Sequence, residues 1–528
     1  MTTLHTIAEI TGGHLVGSGD VEVTSAAIGS SDVQPGGLFC AVPGTKAHGA
    51  TFAASSDAVA VLTDAAGADI LSSDAATADL PVVIVGDVRE WMGPVAAEIY
   101  GHPSASLTIV GITGTSGKTT TSYLAEAALM ATGASVGIIG TTGTRINGQP
   151  IPTKLTTPEA PTMQALLARM VDEGVTHVVM EVSSHALELG RVKGIRFDVA
   201  AFTNLSQDHL DFHPTMEDYF QAKAKLFRGV PHAVVCVDDD WGERMLAIAE
   251  DDANAGADNT IAIGRDWAVE SADVRPSGRQ DIHARMGDKR LDYSISMAGE
   301  FNQTNSLVAL ACVAELGCDV ETAARGLADV HVPGRMQLVD EGQDFLVMVD
   351  YAHKPGAVAA VLRSLHEYNR IGIVLGAGGN RDHDKRPIMG RWAGELADAV
   401  FITDDNPRDE DPSEIRSEVY AGAVEAGTDA LVENIAGRAE AIDAAVRWAC
   451  TGDAVVIAGK GHETGQIVGD VVHDFDDVQV VKQALKRRMN DMSPEVGRDN
   501  PENRDSGDSG DSGDSGDSGD SGDNVEEK

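Results

Sequence analysis

Apolar runs of the kind found in buried strands alternate with helical stretches through the middle of the chain. Each run precedes a stretch with helical spacing, as Thr119 to Ala131 follows the first of them. Alternation of this kind predicts a parallel sheet with helices on both faces. We therefore expect a doubly wound central domain over residues 106–336, with strands at Leu107 to Ile112, His177 to Val182, Asp198 to Thr203 and Ala233 to Val237.

Two further α/β units flank this central domain. Residues 1–105 contain short β-like runs between turns rich in glycine and aspartate, and they end in a turn cluster, Tyr100 to Pro103, that suits a linker. Residues 337–492 follow the turn Val332 to Arg335 and repeat the strand and helix alternation, which predicts a Rossmann-like C-terminal domain. The expected fold class is α/β in three domains, with outer strands at Ala58 to Leu62, Leu80 to Val85, Phe345 to Val349, Ile371 to Leu375, Ala399 to Thr403 and Ala454 to Ala458.

The last residues, 493–528, lose all periodicity and contain six consecutive copies of Asp-Ser-Gly from Asp505. Such a segment cannot bury enough apolar surface to offset the entropy of ordering, so we expect a disordered acidic tail. A tolerated extension and a regulatory segment are both compatible with this composition.

The composition is that of a large, acidic, globular protein. The chain has 528 residues, 42% of them hydrophobic, and a formal net charge of −42, of which the tail contributes −9. A surface of this charge repels phosphate backbones, which argues against nucleic acid and anionic membranes as partners. Five scattered cysteines, and no signal peptide or membrane-length apolar run, are typical of the reducing cytoplasm. We expect a cytoplasmic monomer.

A glycine-rich loop follows the first central strand and opens the next helix. It reads GTSGKTT from Gly114 to Thr120, and Ile112 stands where the strict phosphate-loop motif has its first glycine. Backbone N–H groups of such a loop surround phosphate oxygens, Lys118 reaches the β and γ phosphates, and the Thr119 hydroxyl can hold Mg²⁺. The loop predicts ATP or GTP binding.

Two more strand ends carry polar side chains. Glu181 lies at the end of the strand that begins at His177, and Asp208-His209 follows the next strand. The carboxyl ends of parallel strands meet at one edge of a sheet, where open α/β sheets bind ligands. Together with the phosphate loop, these residues predict a metal and phosphate site.

A longer series of motifs runs in order over most of residues 28–463: GTSGKTT (114–120), LTTP (155–158), MEVSSHALELGRV (180–192), TNLSQDHLDFH (203–213), YFQAKAKLF (219–227), EFNQTN (300–305), VPGRM (332–336), VDYAHKPGAV (349–358), GAGGNRDHDKRP (376–387), TDDNPRDEDP (403–412) and AGKGHE (458–463). This series resembles the muramyl ligases, the ATP-dependent amide-bond-forming enzymes of peptidoglycan precursor synthesis. Within the family it is most similar to the branch that adds the third stem-peptide residue to UDP-N-acetylmuramoyl-L-alanyl-D-glutamate. The resemblance implies that ATP phosphorylates a substrate carboxylate and that the incoming amino group attacks the acyl phosphate, which gives the amide, ADP and phosphate.

The resemblance also implies roles for single residues. Lys118, Glu181, His209 and Lys223 match the family's catalytic set, and Thr119 with the last three matches its Mg²⁺ ligands. Lys223 holds the position of the family's carbamylated lysine, N6-carboxylysine, and a carbamate supplies the oxygen ligands that Mg²⁺ prefers. The implied ATP set comprises Gly114, Thr115, Ser116, Gly117, Lys118, Thr119, Thr120, Asn302, Asn305, Arg335, Asp350 and His353.

The UDP-sugar peptide set combines positions of the first and central domains. One stretch departs from the family, which commonly has Asp-Ser-Arg where this chain has Gly29-Ser30-Ser31. A serine cannot replace the fork-shaped donor of an arginine, which weakens the uridine-side contacts that the resemblance implies. The implied set comprises Ile28, Ser30, Thr45, Lys46, Ala47, Thr156, Thr157, Ser183 and Arg191.

The identity of the added amino acid depends on the stretch DNPR at 405–408. meso-Diaminopimelate carries a carboxylate beside its distal ammonium, whereas lysine ends in an ammonium alone. An arginine grips a carboxylate through two N–H bonds, so Arg408 is assigned to the distal carboxylate and Glu463 to the distal ammonium. A plain Asp-Asn-Pro turn is the alternative for this stretch. The diaminopimelate set that the resemblance implies comprises Arg381, Asp405, Asn406, Pro407, Arg408, Gly459 and Glu463.

Two rival functions are weighed against this expectation. The first is another ATP-dependent amide ligase, such as a folylpolyglutamate synthetase or the lysine-adding sister enzyme, against which DNPR and the N-terminal domain argue. The second is a nucleotide-dependent switch. The chain lacks an Asn-Lys-x-Asp guanine-reading stretch, and a switch has no need of Arg381, Arg408 and Glu463 on a third domain.

Overall fold

The computed structural model describes residues 2–151, 153, 155–210, 212–252, 257–275 and 278–492. Within these ranges, sheets of five, eleven and six strands follow one another along the chain, and two short two-stranded ladders accompany them. The predicted tail, residues 493–528, lies outside the described residues.

The N-terminal part is a five-stranded sheet with the strand order β2-β7-β6-β5-β4. The four strands β7, β6, β5 and β4 run parallel to one another, and the edge strand β2 pairs antiparallel to β7. The side chains of Asp64 and Asp87 accept backbone N–H groups at the starts of α2 and α3, as N-cap residues do. The elements are β1 (Thr2–Thr3), α1 (Leu4–Thr11), β2 (His14–Val16), β3 (Glu22–Val23), β4 (Ser25–Ala27), β5 (Gly37–Ala41), β6 (Ala60–Thr63), α2 (Ala65–Ser73), β7 (Val82–Ile84) and α3 (Val88–Ile99).

The central part is the eleven-stranded sheet, in the order β11-β10-β9-β12-β8-β13-β14-β15-β16-β17-β18. Its elements are β8 (Thr108–Thr113), α4 (Lys118–Ala131), β9 (Val136–Gly140), β10 (Gly143–Ile146), β11 (Gln149–Ile151), α5 (Ala160–Asp172), β12 (His177–Glu181), α6 (Ser184–Glu188), β13 (Val199–Phe202), α7 (Met216–Ala224), β14 (His232–Cys236), α8 (Asp240–Asp251), β15 (Thr260–Ile263), β16 (Trp267–Val274), β17 (Gln280–Met286), β18 (Lys289–Ile295), α9 (Glu300–Glu315) and α10 (Val320–Arg325).

Helices cover both faces of this sheet, as the alternation of apolar runs predicts. One core packs α4 and α9 against one face, with Leu124 and Val308 fully buried in it. The other packs α5, α7 and α8 against the opposite face, around Leu167 and Phe220. Strands buried on both faces explain why β8, β12 and β13 read as nearly continuous apolar runs.

The C-terminal part is a six-stranded sheet in the order β19-β20-β24-β21-β22-β23, parallel except for β19. Helices on both of its faces bury two separate apolar cores. The elements are β19 (Gln337–Leu338), β20 (Leu346–Asp350), α11 (Pro355–Arg363), β21 (Ile371–Leu375), α12 (Lys385–Leu396), β22 (Ala399–Ile402), α13 (Pro412–Glu425), β23 (Leu431–Asn434), α14 (Arg438–Trp448), β24 (Ala454–Ala458), β25 (Gly465–Val468), β26 (Val471–Asp474) and α15 (Asp477–Met492).

The structure confirms the α/β class and each named strand, with ends that shift by one or two residues. The predicted parallel sheet is present from β9 to β15, and unpredicted strands extend it in antiparallel pairs, β10 and β11 at one edge and β16 to β18 at the other. Apolar and polar residues alternate along β17 and β18, as in strands with one solvated face, and the turn at Gly287 joins them. The domain boundaries at residues 105/106 and 336/337 stay predictions.

Candidate active site

The phosphate loop follows β8, which lies between β12 and β13. Gly114 and Gly117 have φ angles of +148° and +86°, which residues with side chains rarely adopt. A Cβ atom on Gly114 would lie 1.9 Å from Thr203 Oγ1, and one on Gly117 would lie 2.5 Å from Asn305 Oδ1. Glycine is therefore required both by the bends of the loop and by the close approach of its neighbours.

Contacts from the end of β13 hold the loop in shape. The Ser116 N–H donates to Asn204 Oδ1 at 3.0 Å, and the Thr115 N–H donates to the Asn204 carbonyl at 2.9 Å. The Thr203 hydroxyl donates to the Ser116 carbonyl at 2.6 Å. Asn305, on α9, accepts a hydrogen bond from the Thr121 hydroxyl at 3.4 Å. These contacts tie the phosphate loop to the end of β13 and to α9.

Two lysines converge on a single carbonyl of this loop. Lys118 Nζ and Lys223 Nζ each donate to the Gly114 carbonyl at 2.8 Å, although Lys223 comes from α7. Lys223 is 1% exposed. Burial and the nearby Lys118 ammonium lower the pKa of Lys223 well below its usual value, and burial lowers the pKa of Lys118. Their closeness favours the uncharged form of the Lys223 amine.

Glu181, at the end of β12, lies buried at the same edge of the sheet. Its Oε1 accepts the Thr141 N–H at 2.8 Å, and its Oε2 accepts the Thr141 hydroxyl at 3.0 Å. Register explains why it meets the phosphate loop, because Glu181 pairs with Ile112 of β8. The parallel strands bring these two predicted residues together as expected.

His209 and its neighbour Asp208 lie on the loop after β13. Lys354, at the N-cap of α11, approaches Asp208 Oδ1 at 3.0 Å and Oδ2 at 3.2 Å, which joins the central and C-terminal parts. Burial would raise the pKa of Asp208, but Lys354 and His209 outweigh it and lower that pKa. Burial lowers the pKa of His209, which favours the neutral imidazole needed in a metal ligand.

The remaining ATP-set residues lie on α9 and around the end of β20. Asn305 Nδ2 donates to Asn302 Oδ1 at 3.1 Å. Asp350, at the end of β20, is buried, and its oxygens accept the N–H groups of Met336 and Ala352, each at 2.8 Å. Burial raises the pKa of Asp350. In this arrangement the carboxylate fixes the backbone around Arg335.

Tyr351 contacts two members of the predicted ATP set, Arg335 and His353. The Arg335 guanidinium lies 4.9 Å from the centroid of the Tyr351 ring. The ring of His353 packs edge-on at 4.5 Å between centroids, and its Nδ1 lies 2.7 Å from the Tyr351 carbonyl. Burial lowers the pKa of His353, so a neutral ring is favoured.

The UDP-sugar set divides between two places. Thr157 links its central members: its hydroxyl donates to the Glu181 carbonyl at 2.8 Å and accepts the Ser183 N–H at 3.3 Å, and its carbonyl accepts from Arg191 at 3.3 Å. The Thr156 hydroxyl lies 3.3 Å from that of Thr141. These members therefore surround Glu181.

The N-terminal members lie on two segments, one that follows β4 and one that follows β5. Thr45-Lys46-Ala47 form a turn that the Gly44 N–H closes on the Ala47 carbonyl at 3.2 Å, and Ser30 begins a short 3₁₀ helix after Ile28. Among the described residues, no hydrogen bond joins these five to the central members. The two parts meet instead at Glu159, which pairs with Arg89 at 3.3 Å and with Arg191 at 2.9 Å.

The DNPR stretch follows β22 and meets the loop after β24. Asn406 Nδ2 donates to Glu463 Oε2 at 2.8 Å, and Asp405 Oδ2 lies 2.6 Å from the place of a Cβ on Gly459, whose φ is +112°. β22 and β24 are separated only by β21 in the sheet. The structure thus brings together the two halves of the predicted amino-acid site.

Arg408 and Arg381 border the same glycine, Gly378. A Cβ there would lie 3.0 Å from Arg408 Nη1 and 3.8 Å from Arg381 Cγ. Arg408 has φ of +53°, and its Nη1 donates to the Gly379 carbonyl at 2.8 Å. A Cβ on Gly379 would lie 1.9 Å from the Pro407 carbonyl, so a close backbone approach holds the turn. DNPR is a turn, as its composition predicts, and it also places Arg408 beside the same glycine as Arg381.

Two kinds of feature are absent from the described residues. No group of three or more His, Cys, Asp or Glu side chains there is arranged to hold a metal ion. No helix in those ranges is both long and apolar enough to cross a membrane.

All three parts of the chain match domains of one family. Residues 22–100 match the Mur ligase family catalytic domain, 112–313 the Mur ligase middle domain and 334–461 the Mur ligase glutamate ligase domain. The chain belongs to the Mur ligase family.

This chain is similar to known ligases over nearly its whole length. It is 52% identical over 489 residues to the UDP-N-acetylmuramoyl-L-alanyl-D-glutamate--2,6-diaminopimelate ligase of Corynebacterium glutamicum, covering 90% of this chain and 93% of that protein. A solved structure of a ligase with the same name is 30% identical, with a TM-score of 0.68, covering 92% of this chain and 99% of the other. The Mycobacterium tuberculosis folylpolyglutamate synthase, solved with ADP and AMPPCP, is 20% identical over 76% of this chain and 95% of its own, with a TM-score of 0.57, and shares the fold.

Several residues of this Mur ligase site were not predicted. Lys460 is fully buried between Asp405, Asn406 and Glu463, and its place within AGKGHE is a signal that could have revealed it. Thr141, which holds Glu181, lies outside every motif and gives no such signal.

Proposed function

We propose that this Mur ligase joins meso-2,6-diaminopimelate to UDP-N-acetylmuramoyl-L-alanyl-D-glutamate in an ATP-dependent reaction of peptidoglycan precursor synthesis. The observation that carries the proposal is the joined amino-acid site, in which Asn406 of DNPR bonds to Glu463 while Arg408 and Arg381 border Gly378. The relative from Corynebacterium glutamicum, 52% identical, supports the same assignment through the activity in its name.

The first chemical step transfers a phosphoryl group. A carboxylate oxygen of the UDP-sugar peptide attacks the γ-phosphorus of ATP, the bond to the β-phosphate oxygen breaks, and ADP leaves. Charge on the transferring group is offset by Lys118 and by the N–H groups at the start of α4, the main catalytic contribution available when the protein forms no covalent bond. Arg335 and Lys354 lie near enough to lower the pKa of Lys118, so they add positive charge beside the phosphate loop.

The second step forms the amide. The neutral amino group of diaminopimelate attacks the acyl carbon, phosphate leaves, and the nitrogen loses a proton. Arg408 would hold the distal carboxylate through paired N–H bonds, and Glu463 would accept from the distal ammonium. Closure of the cleft excludes water, which would otherwise hydrolyse the acyl phosphate.

We assign Mg²⁺ to Thr119, Glu181, His209 and a carbamylated Lys223. The donor set fits only after modification, because a protonated Lys223 offers no ligand, whereas a carbamate offers oxygen. The shared hydrogen-bond acceptor of Lys118 and Lys223 supports the modification. Both side chains donate to the Gly114 carbonyl, and a negatively charged carbamate at Lys223 would attract Lys118 where an ammonium would repel it. When bound, Mg²⁺ supplies charge stabilisation for phosphate and carboxylate oxygens.

For the UDP-sugar peptide we assign the residues around Thr157 to the peptide end, because they adjoin Glu181 and the phosphate loop. The N-terminal set would then hold the uridine end. We further propose that the enzyme acts as a monomer in the cytoplasm, where ATP and UDP-sugars are available.

Phosphate release from ATP tests the proposed reaction. The enzyme is incubated with Mg²⁺ and UDP-N-acetylmuramoyl-L-alanyl-D-glutamate, together with meso-diaminopimelate, L-lysine or no amino acid, and the product is identified by mass. We expect release and product with diaminopimelate only. Turnover with lysine alone would contradict the specificity, and no turnover with either amino acid would favour a different amide ligase, such as a folylpolyglutamate synthase.

Arg408→Ala tests the assignment of the distal carboxylate. We expect kcat/KM for diaminopimelate to fall about 100-fold or more, because a bidentate charged contact is lost, while the affinity for an ATP analogue stays unchanged. The matched control is Arg391→Ala, since Arg391 is exposed on α12 and pairs only with nearby Glu395 at 2.7 Å. An equal loss of nucleotide affinity in Arg408→Ala would overturn the assignment.

A further inference from the structure

Lys460 is a fully buried lysine at the centre of the amino-acid site. It follows β24, and its side chain is 0% exposed. Its Nζ donates to Asn406 Oδ1 at 3.0 Å, lies 3.4 Å from Glu463 Oε2, and lies 3.6 Å from Asp405 Oδ1. A buried ammonium is tolerated only with such partners, so Lys460 and these side chains form one charged unit.

The contacts of Lys460 orient the groups that face the ligand. Asn406 Oδ1 accepts from Lys460 and also from the Ile467 N–H at 2.9 Å, which turns the amide so that its Nδ2 donates to Glu463 Oε2. Both side-chain contacts of Glu463 therefore use Oε2, and its Oε1 is left for a substrate ammonium. Lys460 itself is too deeply buried to touch the amino acid, so it acts through Asn406 and Glu463.

Charge at the site depends on this lysine. Asp405 and Glu463 contribute two negative charges, and the positively charged Arg408 and Arg381 border Gly378. Another buried cation, Arg438, bonds to Asp477 at 2.6 and 2.7 Å and interacts with Asp405 and Glu463 only electrostatically, without a hydrogen bond to either. Lys460 is thus the buried cation that lies against both Asp405 and Glu463.

This balance distinguishes the two candidate amino acids. Diaminopimelate brings a carboxylate as well as an ammonium to the distal end of the pocket, whereas L-lysine brings an ammonium alone. Without the Lys460 charge, the negative charge of Asp405 and Glu463 would repel the carboxylate of diaminopimelate more strongly and attract the ammonium of either amino acid. Loss of the Lys460 charge should therefore weaken diaminopimelate binding much more than lysine binding.

We propose that Lys460 is a positioning residue that sets the charge balance of the amino-acid pocket and thereby its preference for a zwitterionic distal end. The proposal rests on the proposed function, since it presumes that the DNPR site takes the amino acid. It adds a determinant of specificity that makes no contact with the substrate.

Lys460→Met, which keeps the length of the side chain without its charge, tests this role. The KM for meso-diaminopimelate and the inhibition constant of L-lysine against it are measured at saturating ATP and UDP-sugar peptide. We expect the diaminopimelate KM to rise about 30-fold and the lysine constant to change less than about threefold, with the KM for ATP unchanged. A parallel rise of both constants would indicate a merely structural role and overturn the proposal, as would no change in either.

A double variant distinguishes the loss of the Lys460 charge from a general loss of folding. Asp405→Asn combined with Lys460→Met removes one of the two carboxylates, so the diaminopimelate KM should recover at least about threefold relative to Lys460→Met alone. Failure to recover in a folded double variant would contradict the charge argument. If the wild-type enzyme does not use diaminopimelate at all, the proposed function fails instead, and the two failures are thereby distinguished.

Discussion

Replacing Lys118 with methionine is expected to lower kcat/KM about 10³-fold, equivalent to about 4 kcal/mol of transition-state stabilisation. Lys118 is the first residue of α4, and its ammonium folds back over the phosphate loop onto the carbonyls of Gly114 and Thr115, at 2.8 and 3.1 Å. A triphosphate would offer this ammonium anionic oxygens in place of neutral carbonyls. The interaction strengthens as charge develops on the transferring phosphoryl group, so kcat should fall more than ATP affinity.

Rates of phosphate release and the affinity for an ATP analogue, measured side by side, check this expectation. Lys289→Met is the matched control, because Lys289 is exposed at the start of β18, far along the sheet from β8. It should retain wild-type turnover. If Lys118→Met kept more than a tenth of the wild-type kcat/KM, the phosphate loop would not have the role assigned to it.

The nucleotide edge of the site was predictable because it depends on local patterns. A buried apolar run, two glycines, a lysine and a helix follow one another in sequence, and Glu181 follows the same kind of run. Parallel strands place their carboxyl ends at one edge, so adjacency of β8, β12 and β13 brings these residues together without further information. The positions of the strands were predictable for the same reason.

Other features depend on contacts between distant segments, which periodicity does not encode. Lys223 and Gly114 are 109 positions apart, yet they share a hydrogen bond of 2.8 Å. Lys460 reaches Asn406 across 54 positions. The antiparallel strands β16 to β18 were missed because their half-exposed pattern is weaker than a buried run. Sequence patterns predicted the strand ends, but not which side chains would share a partner.

The contacts of Lys354 and Tyr351 lie between two of the three assigned sites, the phosphate edge and the amino-acid pocket. Lys354 of the C-terminal part pairs with Asp208 beside His209, and Tyr351 lies between Arg335 and His462, with ring centroids of Tyr351 and His462 5.2 Å apart. His462 directly precedes Glu463 of the amino-acid site. A short chain of contacts therefore joins the phosphate edge to the amino-acid pocket.

The second large effect is expected at Lys223, where Lys223→Met should lower kcat at least about 10³-fold. In the carbamylation that we propose, the neutral Lys223 amine would attack CO₂, form an N–C bond and lose a proton, which would leave a carbamate. Burial and the Lys118 ammonium lower the pKa of Lys223 and so favour the neutral amine that this reaction needs. The geometry also favours a carbamate at Lys223. The Nζ atoms of Lys118 and Lys223 both lie 2.8 Å from the Gly114 carbonyl, and a negative group on Lys223 would be attracted to the Lys118 ammonium.

Carbon-13 NMR of the enzyme equilibrated with labelled bicarbonate checks the modification separately from the rate. We expect a carbamate resonance in the wild type and in Lys225→Met, the control, because Lys225 is an exposed neighbour that pairs with Glu188. The resonance should be absent from Lys223→Met. Full activity in Lys223→Met would exclude a catalytic role, and a low activity without any wild-type resonance would mean that the amine itself acts. A carbamate at Lys223 would supply the oxygen ligand that the amine lacks, beside the Glu181, His209 and Thr119 that we propose to hold Mg²⁺.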